Sequence, residues 1–257
     1  MAEYFFKRYE LKYLLGESQY EAVKSEIEKR LSPDEYGKTS IQSIYYDTEN
    51  FRLVRESIEK PVFKEKLRLR CYNLNDDDRD IYVEMKRKYD GVVYKRRIAC
   101  KESEIEKLFA GGFKKSQIGR ELDYFLSFYG SLKPKMLIIY DREAYFEKGG
   151  DLRVTFDKNV RYRTEDLNFH TSLAGESLLS ASVALLELKT AAALPLWLCE
   201  TLCREGVKKQ SFSKYGGAYE REYLNNEYLN LNKRRENLCS NRFSAAELSP
   251  QQVSLSL

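Results

Sequence analysis

The 257-residue chain has one histidine, His170, and five cysteines, Cys71, Cys100, Cys199, Cys203 and Cys239, an odd number with no CxxC pair. A histidine-dependent triad or a structural zinc site needs more ligands than that. Any metal is therefore expected to be a hard cation on carboxylate oxygens. The same cysteine usage argues against a disulfide framework and for a reduced, cytoplasmic setting. Long apolar runs are also missing. The most apolar stretch, Ser182 to Leu202, is broken by Glu187, Lys189 and Pro195, and the opening MAEYFFKRYE has no apolar core behind a basic head. Neither a membrane span nor a signal peptide is expected, although docking onto a separate membrane protein stays open. Charge is what the chain has in quantity: 44 Lys+Arg against 40 Asp+Glu, with 42% hydrophobic residues. That balance suits a folded domain and argues against disorder throughout, collagen or a coiled coil.

Period-two alternation predicts strands over Arg8 to Leu15, Thr39 to Tyr46, Phe63 to Tyr72, Asp80 to Lys88, Val92 to Cys100, Lys135 to Phe146, Leu152 to Asp157 and Ser182 to Thr190. Asn75 to Asp80 and Tyr89-Asp90-Gly91 carry turn residues, which makes the third to fifth strands an antiparallel meander. The acid run Asp76, Asp77, Asp78 is read as part of such a turn rather than as a metal cup. Helices are expected over Glu17 to Leu31, Glu102 to Phe109, Ser116 to Tyr129 and Leu196 to Glu205. Residues 1–220 are expected to form the domain and 221–257 a polar, weakly ordered tail.

The residues that alternate with the apolar ones carry the functional signal. In KLRLR, Lys66, Arg68 and Arg70 point one way and Leu67 and Leu69 the other. Glu10 and Lys12, Glu84, Lys86 and Lys88, Lys95 and Arg97, Tyr140 and Arg142, Arg153, Thr155 and Asp157, and Glu187 and Lys189 repeat the pattern. Amphipathic helices need the apolar face of the sheet, so the charged face must lie opposite them. The expected fold class is α+β: an eight-stranded antiparallel β tunnel or barrel with a polar, basic lumen and helices packed outside. Two like charges about 5 Å apart repel by about 3 kcal/mol at an effective dielectric near 20. Water, interior acids and a bound polyanion must offset that repulsion. Arginine forks and lysine point charges suit phosphate oxygens, so a polyphosphate or nucleoside triphosphate is the expected guest. Glu187, with Glu84 and Glu10 as weaker candidates, could hold Mg²⁺ or Mn²⁺. Nucleic acid is not expected as a partner, because Tyr9, Tyr13 and Phe156 alternate away from the cations instead of interleaving with them.

Nine segments in order resemble the motif set of the VTC domain: RYELKY from Arg8, SIYYDT from Ser43, KLRLRCY from Lys66, YVEMKRK from Tyr82, VVYKRR from Val92, YDREAY from Tyr140, LRVTFD from Leu152, LLELK from Leu185 and SFSKY from Ser211. This family is the polyphosphate polymerase branch of the triphosphate tunnel metalloenzymes, and the resemblance spans about residues 4 to 217. It implies a tunnel that binds ATP, triphosphate or polyphosphate with Mn²⁺ or Mg²⁺. In eukaryotic relatives the terminal phosphate of ATP joins a growing chain that leaves through the tunnel. By motif position the resemblance puts phosphate chemistry on Lys12, Arg68, Arg70, Lys86, Arg142, Arg153 and Lys214, further phosphate contacts on Lys95, Arg97 and Ser213, and the metal on Glu187. The ExExK signature of the hydrolase branch is absent, since the first strand reads Glu10-Leu11-Lys12 after Arg8-Tyr9. The implied activity is a metal-dependent phosphotransferase of polyphosphate polymerase type. A triphosphatase or polyphosphate hydrolase, and a noncatalytic polyphosphate or nucleotide sensor, are the alternatives.

Overall fold

The computed structural model describes residues 9–72, 80–90, 92–113, 116–170, 172–191 and 193–225. The hairpin loop expected at Asn75 to Asp80 falls outside them except for Asp80, and so do Arg8, Gly91 and the tail beyond residue 225. The strands are β1 (Tyr9–Leu15), β2 (Ser32–Asp47), β3 (Phe63–Cys71), β4 (Asp80–Tyr89), β5 (Val92–Lys101), β6 (Lys133–Phe146), β7 (Arg153–Arg163), β8 (Glu176–Ser177) and β9 (Ala184–Thr190). All pair antiparallel in the order β1-β9-β7-β6-β2-β3-β4-β5, with β8 added to β7. The helices are α1 (Glu17–Glu28), α2 (Arg52–Ile58), α3 (Ile105–Lys107), α4 (Gln117–Tyr129), α5 (Leu196–Arg204) and α6 (Lys214–Tyr219). No helix among the described residues is long and apolar enough to cross a membrane.

The expected two-faced sheet is present, and helices cover its apolar side. Tyr13 and Leu15 of β1, Val154 and Phe156 of β7, and Leu186 and Leu188 of β9 pack with Tyr20, Val23 and Ile27 of α1 and Leu198 and Leu202 of α5. A second cluster joins Leu67, Leu69, Val83, Met85, Leu137 and Ile139 to Leu53 of α2 and to Leu122 and Phe125 of α4. At about 1.5–3 kcal/mol for each fully buried aliphatic or phenylalanine side chain, this burial fixes which face turns inward. Ser116 caps α4 by accepting the Gly119 amide at 3.0 Å. A Cβ on Gly119 would lie 1.6 Å from the Phe113 carbonyl oxygen, which explains a glycine inside that helix.

Several expectations need correction. The sheet is not a closed eight-stranded barrel: among the described residues nine strands form and no ladder joins β1 to β5. Side chains and a late stretch of chain span the gap instead. Lys86 of β4 donates to Glu10 of β1 at 3.1 Å. Tyr13 bridges to Lys209, and the Gln210 amide donates to the Lys12 carbonyl at 2.8 Å. The Lys12 ammonium reaches the Phe212 carbonyl at 3.1 Å, and Lys66 of β3 reaches Ser213 Oγ at 2.8 Å.

Element boundaries also differ. β2 begins at Ser32 because its first residues pair with the far end of β6 (Ser32 with Phe146), with a register shift before Lys38. β7 runs on to Arg163 through Asn159, whose φ of +51° marks the register slip against β6. At the turn expected over Tyr89-Asp90-Gly91, Tyr89 is still in β4 and pairs with Val92, and Asp90 has φ +43°. α1 stops at Glu28, short of Leu31, as the chain turns into β2. The helix expected over Glu102 to Phe109 is a 3₁₀ turn, the single turn α3 and a π turn ending at Gly112.

Neither α2 nor α6 shows in the sequence periodicity, and one carboxylate organises both. Asp47, at the end of β2, accepts the amides of Thr48, Leu53 and Val54 at 2.8–3.0 Å and the Tyr215 hydroxyl at 2.9 Å. Residues up to Gly217 form one compact unit. Of the second unit, Ala218–Leu257, the described part is the end of α6 and a π turn over Glu220–Leu224, where the Tyr219 and Tyr223 rings lie 5.3 Å apart. Asp47→Ala strands three amides and a hydroxyl. It is expected to lower unfolding stability by about 3 kcal/mol, whereas Tyr215→Phe removes one bond and costs about 1 kcal/mol, both read from urea unfolding midpoints.

Candidate functional site

Two buried carboxylate centres organise the inward face. In the first, Glu84 of β4 takes Arg68 Nε at 2.8 Å and Nη2 at 2.7 Å, has Arg70 Nε at 3.7 Å and forms an ion pair with Lys95 of β5. The Arg68 contact follows from register, since Arg68 faces Glu84 across the ladder, whereas Lys95 is the partner of Lys86 and reaches Glu84 diagonally. Burial would raise the Glu84 carboxyl, but Arg68, Arg70 and Lys95 together hold it well below the usual carboxylate range. Arg68 also donates to Tyr45 at 2.9 Å, and Arg70 donates to Ser43 at 3.2 Å and to Tyr140 at 3.0 Å.

In the second centre, Asp157 of β7 accepts a fork from Arg142 of β6, Nε at 2.6 Å and Nη2 at 2.7 Å, and a bond from Lys214 of α6. Glu187 of β9 lies 3.3 Å from both Lys12 and Lys214, 3.5 Å from Arg142 and 3.8 Å from Lys189. Burial opposes ionisation of both acids. Lys12, Lys214, Lys189 and Arg142 nonetheless drive Glu187 well below its ordinary value, and Arg142 and Lys214 lower Asp157. Both acids are anions at neutral pH. They hold their cations in place, while each arginine keeps further N–H donors, having five in all.

Exposure is graded across this face. The side chains of Lys95, Lys86 and Lys189 are 40%, 37% and 34% exposed, and Arg97 and Arg153 are exposed. Lys214 and Arg70 are 9% and 6% exposed. Burial pushes the Lys95 and Lys189 ammonium groups down to about 8 against the pull of Glu84 and Glu187. The lumen is not basic throughout, which corrects another expectation. Ile41, Met136, Ile138, Val160, Tyr162 and Leu185 share the inward side by register and alternation, are buried, and belong to neither outer cluster. The basic basin therefore has an apolar floor.

The structure thus gathers Lys12, Arg142, Lys214 and Glu187 around one centre and Arg68, Arg70 and Lys95 around the other. Lys86 joins by way of Glu10, and Ser213 lies beside Lys66. Arg97 stacks on the Tyr82 ring at 4.8 Å, and Arg153 sits opposite Lys189 in the ladder. The motif reading assigned no role to Asp157, Lys66, Lys189 or Thr155. Asp157, Lys189 and Thr155 were visible in the alternation, since each shares a face with a residue that was assigned. Lys66 was visible in the same way, beside Arg68 and Arg70; its contact with Ser213, remote in sequence, was not.

The donor set bears on a divalent cation. Among the described residues no three His, Cys, Asp or Glu side chains converge as a metal cage. Mg²⁺ and Mn²⁺ do not need one, because one or two carboxylates complete a shell with phosphate oxygens and water. Glu187 is ionised and oxygen-bearing. Thr155, its register partner, has a buried hydroxyl with no hydrogen-bond partner among the described residues. These residues fit a hard cation that shares its shell with a polyanion.

One solved structure shares this architecture, and another is similar over much of its length. A provisionally named adenylate cyclase from Bacillus halodurans aligns with a TM-score of 0.53 at 13% identity, covering 84% of this chain and 99% of that one, and so shares the fold. A provisionally named adenylyl cyclase from Hippeastrum, described as having a dominant triphosphatase activity, aligns with a TM-score of 0.47 at 15% identity, covering 82% and 94%. No curated protein matches. The model of the VTC domain matches residues 7–223, so the chain belongs to the VTC-domain family.

Proposed function

We propose that this chain is a metal-dependent phosphotransferase of the polyphosphate polymerase type, moving the terminal phosphate of ATP onto a polyphosphate chain, with residues 1–220 as the working domain. One observation carries the reading: two acid-centred groups of arginines and lysines face one basin, arranged to neutralise several adjacent phosphates. Phosphoryl transfer asks for positioning and charge stabilisation and needs no side-chain nucleophile. Glu187, with Thr155 beside it, would hold Mn²⁺ or Mg²⁺, which when bound would offset negative charge on the phosphates. Arg68, Arg70 and Arg142 orient the phosphates through the donors their carboxylates leave free. Lys12 and Lys214 neutralise the deep end. Lys86, Lys95, Arg97 and Arg153 hold the trailing phosphates near the mouth, and Ser213 contributes a hydroxyl.

The apolar floor favours a second reading, with water as acceptor and monophosphate as product. A chain leaving through the far side would have to pass Met136, Ile138 and Leu185, all fully buried. A desolvated, unpaired phosphate charge there is strongly unfavourable. Incubation of the pure protein with ATP and Mn²⁺, followed by sizing of phosphate polymers on a gel, is expected to give a ladder. Monophosphate alone would establish hydrolysis, and tight binding without turnover would point to a sensor. Glu187→Gln, which removes the charge but keeps the side-chain volume, should lower turnover about 100-fold or more and, by uncovering Lys12 and Lys214, also lower the urea unfolding midpoint.

The exposure gradient adds a kinetic expectation. Lys214→Ala, at the deep end, should lower kcat, whereas Arg153→Ala, at the mouth, should raise KM about tenfold with kcat little changed. Equal effects of both variants on kcat would remove the assignment of mouth and floor.

A further inference from the structure

Lys66 lies between the two carboxylate centres and belongs to neither. Its neighbours are Lys12 on β1, Lys64 and Arg68 on β3, Lys86 on β4, and Ser213 with the Tyr215 ring from the closing segment. Glu10 is engaged by two of these neighbours, Lys12 at 3.3 Å and Lys86 at 3.1 Å. Among the described residues Lys66 forms no ion pair. Its one hydrogen bond is to Ser213 Oγ at 2.8 Å, and that hydroxyl also accepts the Gly216 amide at 3.0 Å. An ammonium group has three N–H donors, so two remain for a ligand on the basic face. Every other inward cation of the two centres has a carboxylate to hold it. Lys66 has only like charges, and an arriving anion would be its first counter-charge.

We propose that Lys66 is a phosphate-contacting residue of the basin and takes up a proton as a polyphosphate binds. The inference rests on the phosphate-handling function proposed above and adds to it the coupling of binding to protonation. Burial first, then Lys12, Lys86, Lys64 and Arg68, pushes the empty-site Lys66 ammonium down to about 7. Near pH 8 the amine is largely neutral before binding. A bound phosphate raises its proton affinity toward the ordinary lysine range, so one proton moves from solvent to Nζ, which becomes an ammonium against a phosphate oxygen. The sign follows: uptake is small below pH 7, where the group already carries its proton, and largest between about pH 7 and the ordinary lysine value near 10. Lys95 and Lys189, also lowered, add to the total, so the Lys66 share must be taken as a difference between variants.

The test uses titration calorimetry of the full chain with inorganic triphosphate and a chelator, in two buffers of different ionisation enthalpy at pH 8. Wild type should take up close to one proton more per bound triphosphate than Lys66→Arg, whose guanidinium stays charged throughout. Lys66→Arg should retain binding with a flatter dependence of affinity on pH, and Lys66→Met should bind about tenfold or more weakly. Equal proton uptake by wild type and Lys66→Arg, or wild-type affinity in Lys66→Met, would overturn the proposal while leaving phosphate binding in place. Failure of wild type to bind triphosphate at all would overturn it together with the function it rests on.

Discussion

The structure depends on one constraint: a sheet that turns its lysines and arginines inward must keep them from driving it apart. It does so by placing Glu84 and the Asp157–Glu187 pair where several cations converge on each. Removing either partner of such a buried pair leaves an uncompensated charge, which is far more costly than a broken surface ion pair. The acids are therefore structural parts of the basin, and they also leave it basic, since the cations outnumber them. An anion-binding surface of this kind is set before the ligand arrives, so little reorganisation is needed when it does.

The aromatic residues serve the same constraint. Tyr140 lies beneath Lys214 at 4.4 Å and Arg142 at 5.2 Å while its hydroxyl accepts from Arg70, so one ring touches both charge centres. Tyr45 accepts from Arg68 and stacks on Tyr215, whose hydroxyl reaches Asp47 and through it the start of α2. The phenols are polar enough to solvate guanidinium groups and flat enough to pack. They form the transition between charged basin and apolar floor.

Much of this was legible in the sequence because a strand repeats every two residues, and a face identified at one position is identified along its length. Leu67 and Leu69 against Arg68 and Arg70, or Val154 and Phe156 against Arg153 and Asp157, reveal both sides of the sheet. Helix α1 was readable from Tyr20, Val23 and Ile27. Contacts that cross the chain were not readable. Nothing local to KLRLR announces Ser213, and nothing in SFSKY announces a helix, because α6 is six residues long and held by Tyr215 at Asp47. Closure was over-read for the same reason, since alternation identifies faces but is silent on which strands meet at the ends of a sheet. The apolar floor was hidden in the run Met136 to Tyr140, where both faces are hydrophobic and alternation carries no contrast.

The stretch from Lys209 to Lys214 touches both the first strand, at Lys12 and Tyr13, and the third, at Lys66, and it comes late in the chain. Lys12 and Phe212 are joined across 200 positions of sequence. During synthesis the earlier strands can pair while this wall is still missing, leaving the arginines and lysines open to water and counterions, where their repulsion is screened. Until the chain has been made that far it lacks Lys214, which with Arg142 touches both acids of the deeper centre.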